Sequence, residues 1–196
     1  EEEMARRSAE IFEDGDFYLT HAEQEMVNTV KQNFARVIVV MNVGGMVDTS
    51  WFHDDAQIQS VLMAWQGGME GGLATAELLA GEGNPSGKLS DTFARELNDY
   101  PSTYNFHESE KYVEYTDDIY VGYRYFETIP GAKEKVNYPF GFGLSYTQFT
   151  LGESQISIEG DQIRCMVSVT NTGAMAGKEV VQAYYSAPQG RLGKAA

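Results

Sequence analysis

The first part of the chain has apolar runs that alternate with segments of helical spacing. Val37–Met41 and the run VLMAW within residues 58–65 are continuous apolar stretches bounded by charged, polar or glycine residues. Such runs are typical of strands that are buried on both faces of a parallel sheet. We therefore predict two buried strands at these positions.

Helical signals precede the first of these runs. Thr20 and Glu23 form a capping-box pattern, which predicts a helix at His21–Asn33. Apolar residues at helical spacing then predict which stripe of this helix is buried. The predicted stripe contains Met26, Val27 and Val30.

Further elements follow up to about residue 137. Residues 48–52 predict a short helix or turn, and residues 73–79 predict a helix after the glycine-rich segment WQGGMEGG. The turn GEGNPSG leads into a predicted strand at residues 88–93. Residues 99–137 are rich in Tyr and predict irregular structure, in which YTDDIYVGYRYF is a turn followed by an extended segment. Strands that alternate with helices indicate an α/β domain with a largely parallel sheet.

The pattern changes after Phe149 to an alternation of apolar and polar residues. Residues 154–158 and 163–169 alternate, residues 180–184 do so loosely, and turn residues separate them. Short strands at this spacing predict a β-sandwich. About three strands fit before the sequence ends, so we expect only the start of such a domain, and we expect the chain to be a fragment. The uncovered sheet would make an isolated chain prone to aggregation.

Composition narrows the classes of function. The net charge is −15, from 29 acidic and 14 basic residues, which disfavours nucleic-acid binding and is compatible with a neutral ligand such as a sugar. No apolar run approaches the length of a membrane span, so we expect no membrane partner. Cys165 is the single cysteine, and we expect a small buried hydrophobe in a strand. With no visible signal peptide, a cytoplasmic location is favoured.

Metal and cofactor sites are not expected. The histidines do not share ligand spacing, and the two Asp-Asp pairs lack the spacing of a calcium loop. These residues are His21, His53 and His107, with Asp54-Asp55 and Asp117-Asp118. The segment WQGGMEGG stands where a nucleotide-binding fold has its phosphate loop, but it lacks the GxGxxG spacing, and Glu70 would repel phosphate.

The two tryptophans are candidate sugar-stacking residues. Trp65 stands at the end of a predicted strand beside glycines, which is a plausible position at the rim of a site. Packing in the core is the more common role of a tryptophan, and we expect it for both.

Specific segments give the chain a family resemblance. GDFYL, NPSGKLSDTF, DDIYVGYRYFE, YPFGFGLSYTQF and VTNTGAMAGKEVVQAYY follow one another in this order. They resemble the C-terminal half of a family 3 glycoside hydrolase of the β-glucosidase-like group, with Ser90 where the family usually has Pro. The resemblance implies an incomplete α/β sandwich domain at residues 1–150 and the first strands of a fibronectin type III-like domain at residues 151–196.

The resemblance also implies a chemistry. Family members hydrolyse terminal β-linked glucose or similar sugars with retention, and they include xylosidases, arabinosidases and N-acetylglucosaminidases. Their Asp nucleophile lies on a barrel domain that nothing in this chain resembles, and their acid/base is a Glu on a loop of the α/β domain. Matching the family's E-x-x-D-R pattern to EMARR makes Glu3 the candidate acid/base, with Glu2 as runner-up. No substrate-binding residue is assigned.

The implied partners are a β-glucoside or related oligosaccharide and the barrel domain of the same enzyme, on a separate chain or in another segment. We expect no activity from these residues alone, and homo-oligomerisation stays open. Two other functions compete with this interpretation. One is a non-catalytic carbohydrate-binding or assembly module, and the weaker one is a flavodoxin-like nucleotide binder.

Overall fold

The computed structural model describes residues 15–105, 109, 111–188 and 190. The described helices and strands are α1 (His21–Asn33), β1 (Val37–Met41), α2 (Ser50–His53), β2 (Ile58–Met63), α3 (Gly71–Ala80), β3 (Phe93–Ala94), α4 (Tyr123–Thr128), β4 (Val136–Tyr138), β5 (Phe149–Leu151), β6 (Gln155–Glu159), β7 (Gln162–Met166) and β8 (Val169–Asn171). They form two compact units, the first mainly of residues 15–68 with Ser90–Gly141, and the second of Met69–Leu89 with Phe142–Tyr185.

The first unit is built on the parallel pair of β1 and β2. Its core contains Val37, Met41, Phe52 and Ile58. Val30 of α1 packs against this cluster. The helix begins at the predicted capping box, because Glu23 N–H donates to the Thr20 hydroxyl while the Glu23 carboxylate accepts from Thr20 N–H at 2.8 Å.

The predictions for this region are confirmed as elements, but their burial is partly wrong. The helices and strands predicted at α1, β1, β2 and α3 are all present. Met26, however, is 59% exposed: Val27 and Val30 are partly buried and Val30 packs against the core cluster, whereas Met26, one turn before Val30, is left uncovered by the described residues. Ile38 is 57% exposed and Val40 is also exposed, so only one face of the parallel pair is covered in the described part.

Two predictions in the middle of the chain are wrong. The strand predicted at residues 88–93 is reduced to β3, which pairs antiparallel with β4. Leu89 N–H instead donates to the Phe142 carbonyl at 2.8 Å in a loop contact. The segment predicted to be extended contains α4, which begins after Gly122 at a positive φ of 63° and buries Phe126.

Phe126 belongs to a second core of the first unit, together with Ala94 and Ala132. Tyr100 packs against this second core. The Tyr100 hydroxyl donates to the Thr92 carbonyl at 3.1 Å and accepts from Ala94 N–H at 2.9 Å. Burial of the Tyr100 ring raises the pKa of its hydroxyl.

The second unit contains α3 and two antiparallel pairs, β5 with β8 and β6 with β7. The strands predicted at residues 154–158 and 163–169 are confirmed, whereas residues 180–184 have no regular secondary structure. Cys165 lies in β7 as predicted, but it is exposed, because no described element covers the β6–β7 hairpin.

Side-chain hydrogen bonds hold the turns of the second unit. Asn84 accepts from the Ser145 hydroxyl and from Tyr146 N–H, both at 2.9 Å, and its amide donates to the Ala176 carbonyl at 3.0 Å. Lys88 donates to the Gly143 carbonyl at 2.7 Å. In the described part, the fold is therefore an α/β structure of helices and small sheets, of which one pair is parallel and three are antiparallel.

Candidate active site

The predicted acid/base candidates Glu3 and Glu2 lie outside the described residues. The structure does describe residues 15–19, the GDFYL sequence that follows them, which we call the anchor segment. We refer to the segment that the family resemblance assigns to the acid/base as the candidate loop, and the described residues show what holds the chain after it.

The anchor segment is held by one buried ring and three hydrogen bonds. Phe17 is 8% exposed and contacts Tyr18 and Tyr100 edge-to-face, at ring distances of 5.0 Å and 6.3 Å. The Phe17 carbonyl accepts from Asp48 N–H at 2.8 Å, and the Tyr18 hydroxyl accepts from Leu97 N–H at 3.4 Å. The Leu19 carbonyl accepts from the side chain of Gln24 at 2.9 Å. The backbone after the candidate loop is therefore fixed.

One residue that holds the anchor segment, Asp48, lies in the segment after β1. One further backbone hydrogen bond continues the β1–β2 pairing past the last residue of β2. Ala64 N–H donates to the Met41 carbonyl at 3.0 Å. In open α/β sheets, ligands bind outside the carboxyl ends of the parallel strands. At this edge the side chain of Gln66 lies close to Gly44, where an added Cβ would be 2.9 Å from its amide nitrogen. Larger residues at position 44 would displace Gln66.

A polar network fixes the loop that contains Asp48. The Asp48 carboxylate accepts from Ser50 N–H at 2.8 Å, and its carbonyl accepts from the indole N–H of Trp51 at 3.1 Å. The Asn137 amide donates to the hydroxyls of Thr49 at 3.0 Å and Ser50 at 3.2 Å. Sequence reasoning did not identify Asp48 as a support, because its partner Phe17 is distant in sequence and no local pattern connects the two.

The two tryptophans have different environments. Trp51 packs against the first core cluster, as expected. Trp65 follows β2, is partly exposed, and has a positive φ of 53°. Its ring lies 6.2 Å from that of Phe93 at an angle of 47°. Trp65 therefore lies just after the carboxyl end of a parallel strand, and its ring, which we expected in the core, packs near Phe93 while the residue is only partly buried.

The histidines and carboxylates form no metal cluster in the described part of the chain. His53 contacts the Tyr138 ring edge-to-face at 5.0 Å, and burial of Tyr138 is the main cause that raises the pKa of its hydroxyl, with the charge of Asp54 as a second cause. Asp55 forms an ion pair with Lys31, which lowers the pKa of the Asp55 carboxyl. The Lys31–Asp55 pair ties α1 to the loop before β2, and the His53–Tyr138 contact ties α2 to β4. His107 lies outside the described residues.

The glycine-rich segment before α3 has no feature of a phosphate site. Glu70 is the N-cap residue of α3, and its side chain makes no capping hydrogen bond. A carboxylate at this position repels an anion that the helix N-terminus would otherwise attract. Among the residues described, no helix is both long and apolar enough to span a bilayer.

Comparison with known proteins agrees with the resemblance seen in the sequence. The profile of the glycosyl hydrolase family 3 C-terminal domain matches residues 2–146. Beta-glucosidase A of Butyrivibrio fibrisolvens is 62% identical over 210 residues, which cover 99% of this chain and 25% of that protein.

Solved structures show the same relationship. A β-glucosidase from Paenibacillus barengoltzii has a TM-score of 0.73 at 47% identity, over 80% of this chain and 17% of that one. β-Glucosidase 3B from Thermotoga neapolitana in complex with α-D-glucose has a TM-score of 0.72 at 38% identity, over 80% of this chain and 22% of that one. The chain thus spans a quarter or less of the length of these relatives. By its profile match and its sequence identities, the chain belongs to glycosyl hydrolase family 3.

Proposed function

We propose that the chain is part of a retaining, exo-acting β-glycosidase whose main activity is that of a β-glucosidase. Family membership and the β-glucosidase names of the relatives support this proposal. Because the chain corresponds to a quarter or less of each relative, the activity belongs to a larger assembly. The chain contributes the α/β part of the enzyme to this assembly.

The observation that carries the proposal is the fixed anchor segment. Phe17 and its bond from Asp48 hold the backbone that follows the loop with Glu3 and Glu2. A proton donor acts efficiently only when its position is fixed relative to the leaving oxygen. A fixed anchor segment supports the proposal, because it restrains the chain that follows the candidate acid/base in sequence.

The proposed chemistry uses two carboxyl groups. An Asp on the barrel domain attacks the anomeric carbon, and Glu3 protonates the glycosidic oxygen as the bond to the leaving group breaks. Glu3, as carboxylate, then accepts a proton from the water that releases the sugar from the covalent intermediate. Glu2 is the alternative donor if the register of the loop differs by one residue.

The proposal includes the finer fold. Residues 1–150 would form most of an α/β sandwich with a largely parallel sheet, and residues 151–196 the first strands of a fibronectin type III-like domain. The exposed apolar side chains of the β6–β7 hairpin support the second part, because two strands alone leave such a face uncovered. The partners are a β-linked sugar and the barrel domain, and a homo-oligomer is compatible with the proposal.

The acid/base role requires the pKa of Glu3 to be raised above its ordinary value. A proton donor must be protonated near neutral pH, so a neighbouring carboxylate and exclusion of water must raise its pKa. Both would come from the barrel domain. In the isolated chain, we expect Glu3 to titrate as an ordinary exposed glutamate. A carboxyl titration by NMR that gives a clearly raised pKa in the isolated chain would contradict this expectation.

The test of the proposed function is hydrolysis of an aryl β-glucoside. The chain, the barrel-containing remainder of its polypeptide, and their mixture are assayed separately. Activity in the mixture alone supports a site divided between the two parts. Activity of the chain alone would mean that its residues include a nucleophile. Inactivity of all three would favour a binding or assembly module.

Substitutions then identify the acid/base. Glu3→Gln is expected to lower kcat on phenyl β-glucoside about 100-fold or more, the usual contribution of a general acid. It should affect glycosylation by 2,4-dinitrophenyl β-glucoside much less, because this leaving group departs without protonation. Glu1→Gln is the matched control, since it removes the same charge from the same run. If Glu2→Gln shows the loss instead, Glu2 is the acid/base.

A further inference from the structure

Two residues other than glycine have a positive φ in the described part of the chain, Trp65 and Asp118. Asp tolerates the left-handed region, but a bulky aromatic residue is an outlier there. Such strained residues cluster at ligand-binding and catalytic sites, where the surrounding structure holds them in place. The conformation of Trp65 therefore calls for a function at this position.

The two indole groups differ in their hydrogen bonds. Trp51 donates its indole N–H to the Asp48 carbonyl at 3.1 Å and packs in the core. The indole N–H of Trp65 has no hydrogen-bond partner among the described residues, and the residue is partly exposed. Both tryptophans are partly exposed, and of the two only Trp65 has an indole N–H without a partner among the described residues.

The Trp65 ring also packs near a buried aromatic residue. Phe93 is 1% exposed and supports the Trp65 ring at 6.2 Å. Trp65 follows the carboxyl end of β2, and its neighbour Gln66 has an exposed side chain next to Gly44. An aromatic ring supported from one side, with an exposed amide side chain on the next residue, suits a neutral ligand that has both C–H faces and hydroxyl groups.

We propose that Trp65 contacts the sugar in the substrate, with its ring against a pyranose face and its indole N–H donating to a hydroxyl group. This inference rests on the proposed function, and it adds a specificity-determining residue to the same site. The positive φ is the conformation that presents the ring at the strand end.

The test uses the fact that the chain contains two tryptophans. The chain is labelled with 5-fluorotryptophan, assembled with the unlabelled barrel-containing remainder, and titrated with glucose while ¹⁹F NMR spectra are recorded. The variant Trp51→Phe assigns the two signals. We expect the Trp65 signal to shift in a saturable manner, with the Trp51 signal unchanged. An unshifted Trp65 signal at sugar concentrations that inhibit the enzyme overturns the inference.

Kinetics give a second readout. Trp65→Phe keeps the ring and removes the N–H, so KM for cellobiose should rise several-fold, and Trp65→Ala should lower kcat/KM at least 10-fold. Ile58→Val is the control: it removes one methylene group from the core cluster at the start of β2, and it should lower Tm and leave KM unchanged. Unchanged KM in folded, active Trp65 variants refutes the inference, whereas absence of hydrolysis by the unsubstituted assembly refutes the proposed function instead.

Discussion

If the anchor segment positions the acid/base, removing the Phe17 ring should slow protonation of the leaving group more than it slows nucleophilic attack. Phe17→Ala deletes a side chain that is 8% exposed and loses its contacts with Tyr18 and Tyr100. Substitutions of this kind lower the free energy of unfolding by about 3 kcal/mol. Without the buried ring, the hydrogen bond from Asp48 N–H to the carbonyl of residue 17 is the main remaining contact at this position. We therefore expect the preceding segment to be held less firmly.

The kinetic consequence depends on the leaving group. A general acid contributes about 10²- to 10⁴-fold, and a displacement of about 1 Å can remove about 10²-fold. For Phe17→Ala, we therefore expect kcat on phenyl β-glucoside to fall about 10- to 100-fold more than the glycosylation rate of 2,4-dinitrophenyl β-glucoside. The assay is a pre-steady-state burst with both substrates on the assembled enzyme, below the Tm of the variant.

The matched control is Phe126→Ala. Phe126 is 3% exposed and also contacts Tyr100 edge-to-face, at 5.8 Å, but it comes from α4, and its ring contacts in the described part are with Tyr100 and Tyr125. It should lower stability by a similar amount and affect both substrates equally. Equal losses for the two substrates in Phe17→Ala would refute the reasoning, because the anchor segment would then be a stabilising element with no role in proton transfer.

The remaining predictions concern stability, each measured by urea denaturation of the chain. Thr92→Val should raise the free energy of unfolding by about 1 kcal/mol, because the Thr92 hydroxyl is buried without a partner in the described part. The Glu179 carboxyl has a lowered pKa, through the Val180 N–H and then Lys88, so its stabilisation is present above the ordinary pKa of 4.5 and is lost as the pH falls through the lowered value. Glu179→Gln should reduce the fall in the free energy of unfolding at acid pH. An unchanged pH dependence would contradict the assignment. Gly143→Ala should lower stability by about 1–3 kcal/mol, since its Cβ would collide with a backbone carbonyl oxygen, whereas Gly72→Ala, with no atom nearby, should not.

Local signals in the sequence predicted the elements that depend on local chemistry. The capping box at Thr20 defined the start of α1, and the apolar run at Val37–Met41 defined β1. The helix α4 was missed because its Tyr and Phe residues have modest helix propensity, and the burial of Phe126 outweighs that propensity. The burial of Cys165 depends on what covers the hairpin, which no pattern within β6 and β7 specifies.

The candidate site was predictable only in part, for a related physical reason. The family resemblance identified the chemistry and the candidate Glu3, which stays a prediction because it lies outside the described residues. The hydrogen bond between Phe17 and Asp48 joins residues that are far apart in sequence, and no local sequence pattern around either residue predicts it. The strain at Trp65 is a backbone property that appears only in three dimensions. Sequence context indicated where Trp65 stands but not its conformation.

The division of the proposed site between two parts of an enzyme has a physical consequence for its regulation by pH. The acid/base needs a neighbouring negative charge to stay protonated at neutral pH, and in this proposal that charge comes from the barrel domain. Bringing the two parts together therefore raises the pKa of the donor, and by linkage a protonated donor favours the assembled state. Assembly should accordingly tighten as the pH falls through the raised pKa, and Glu3→Gln, which mimics the protonated donor, should remove this dependence. A competent site and a stable assembly are thus coupled through one proton.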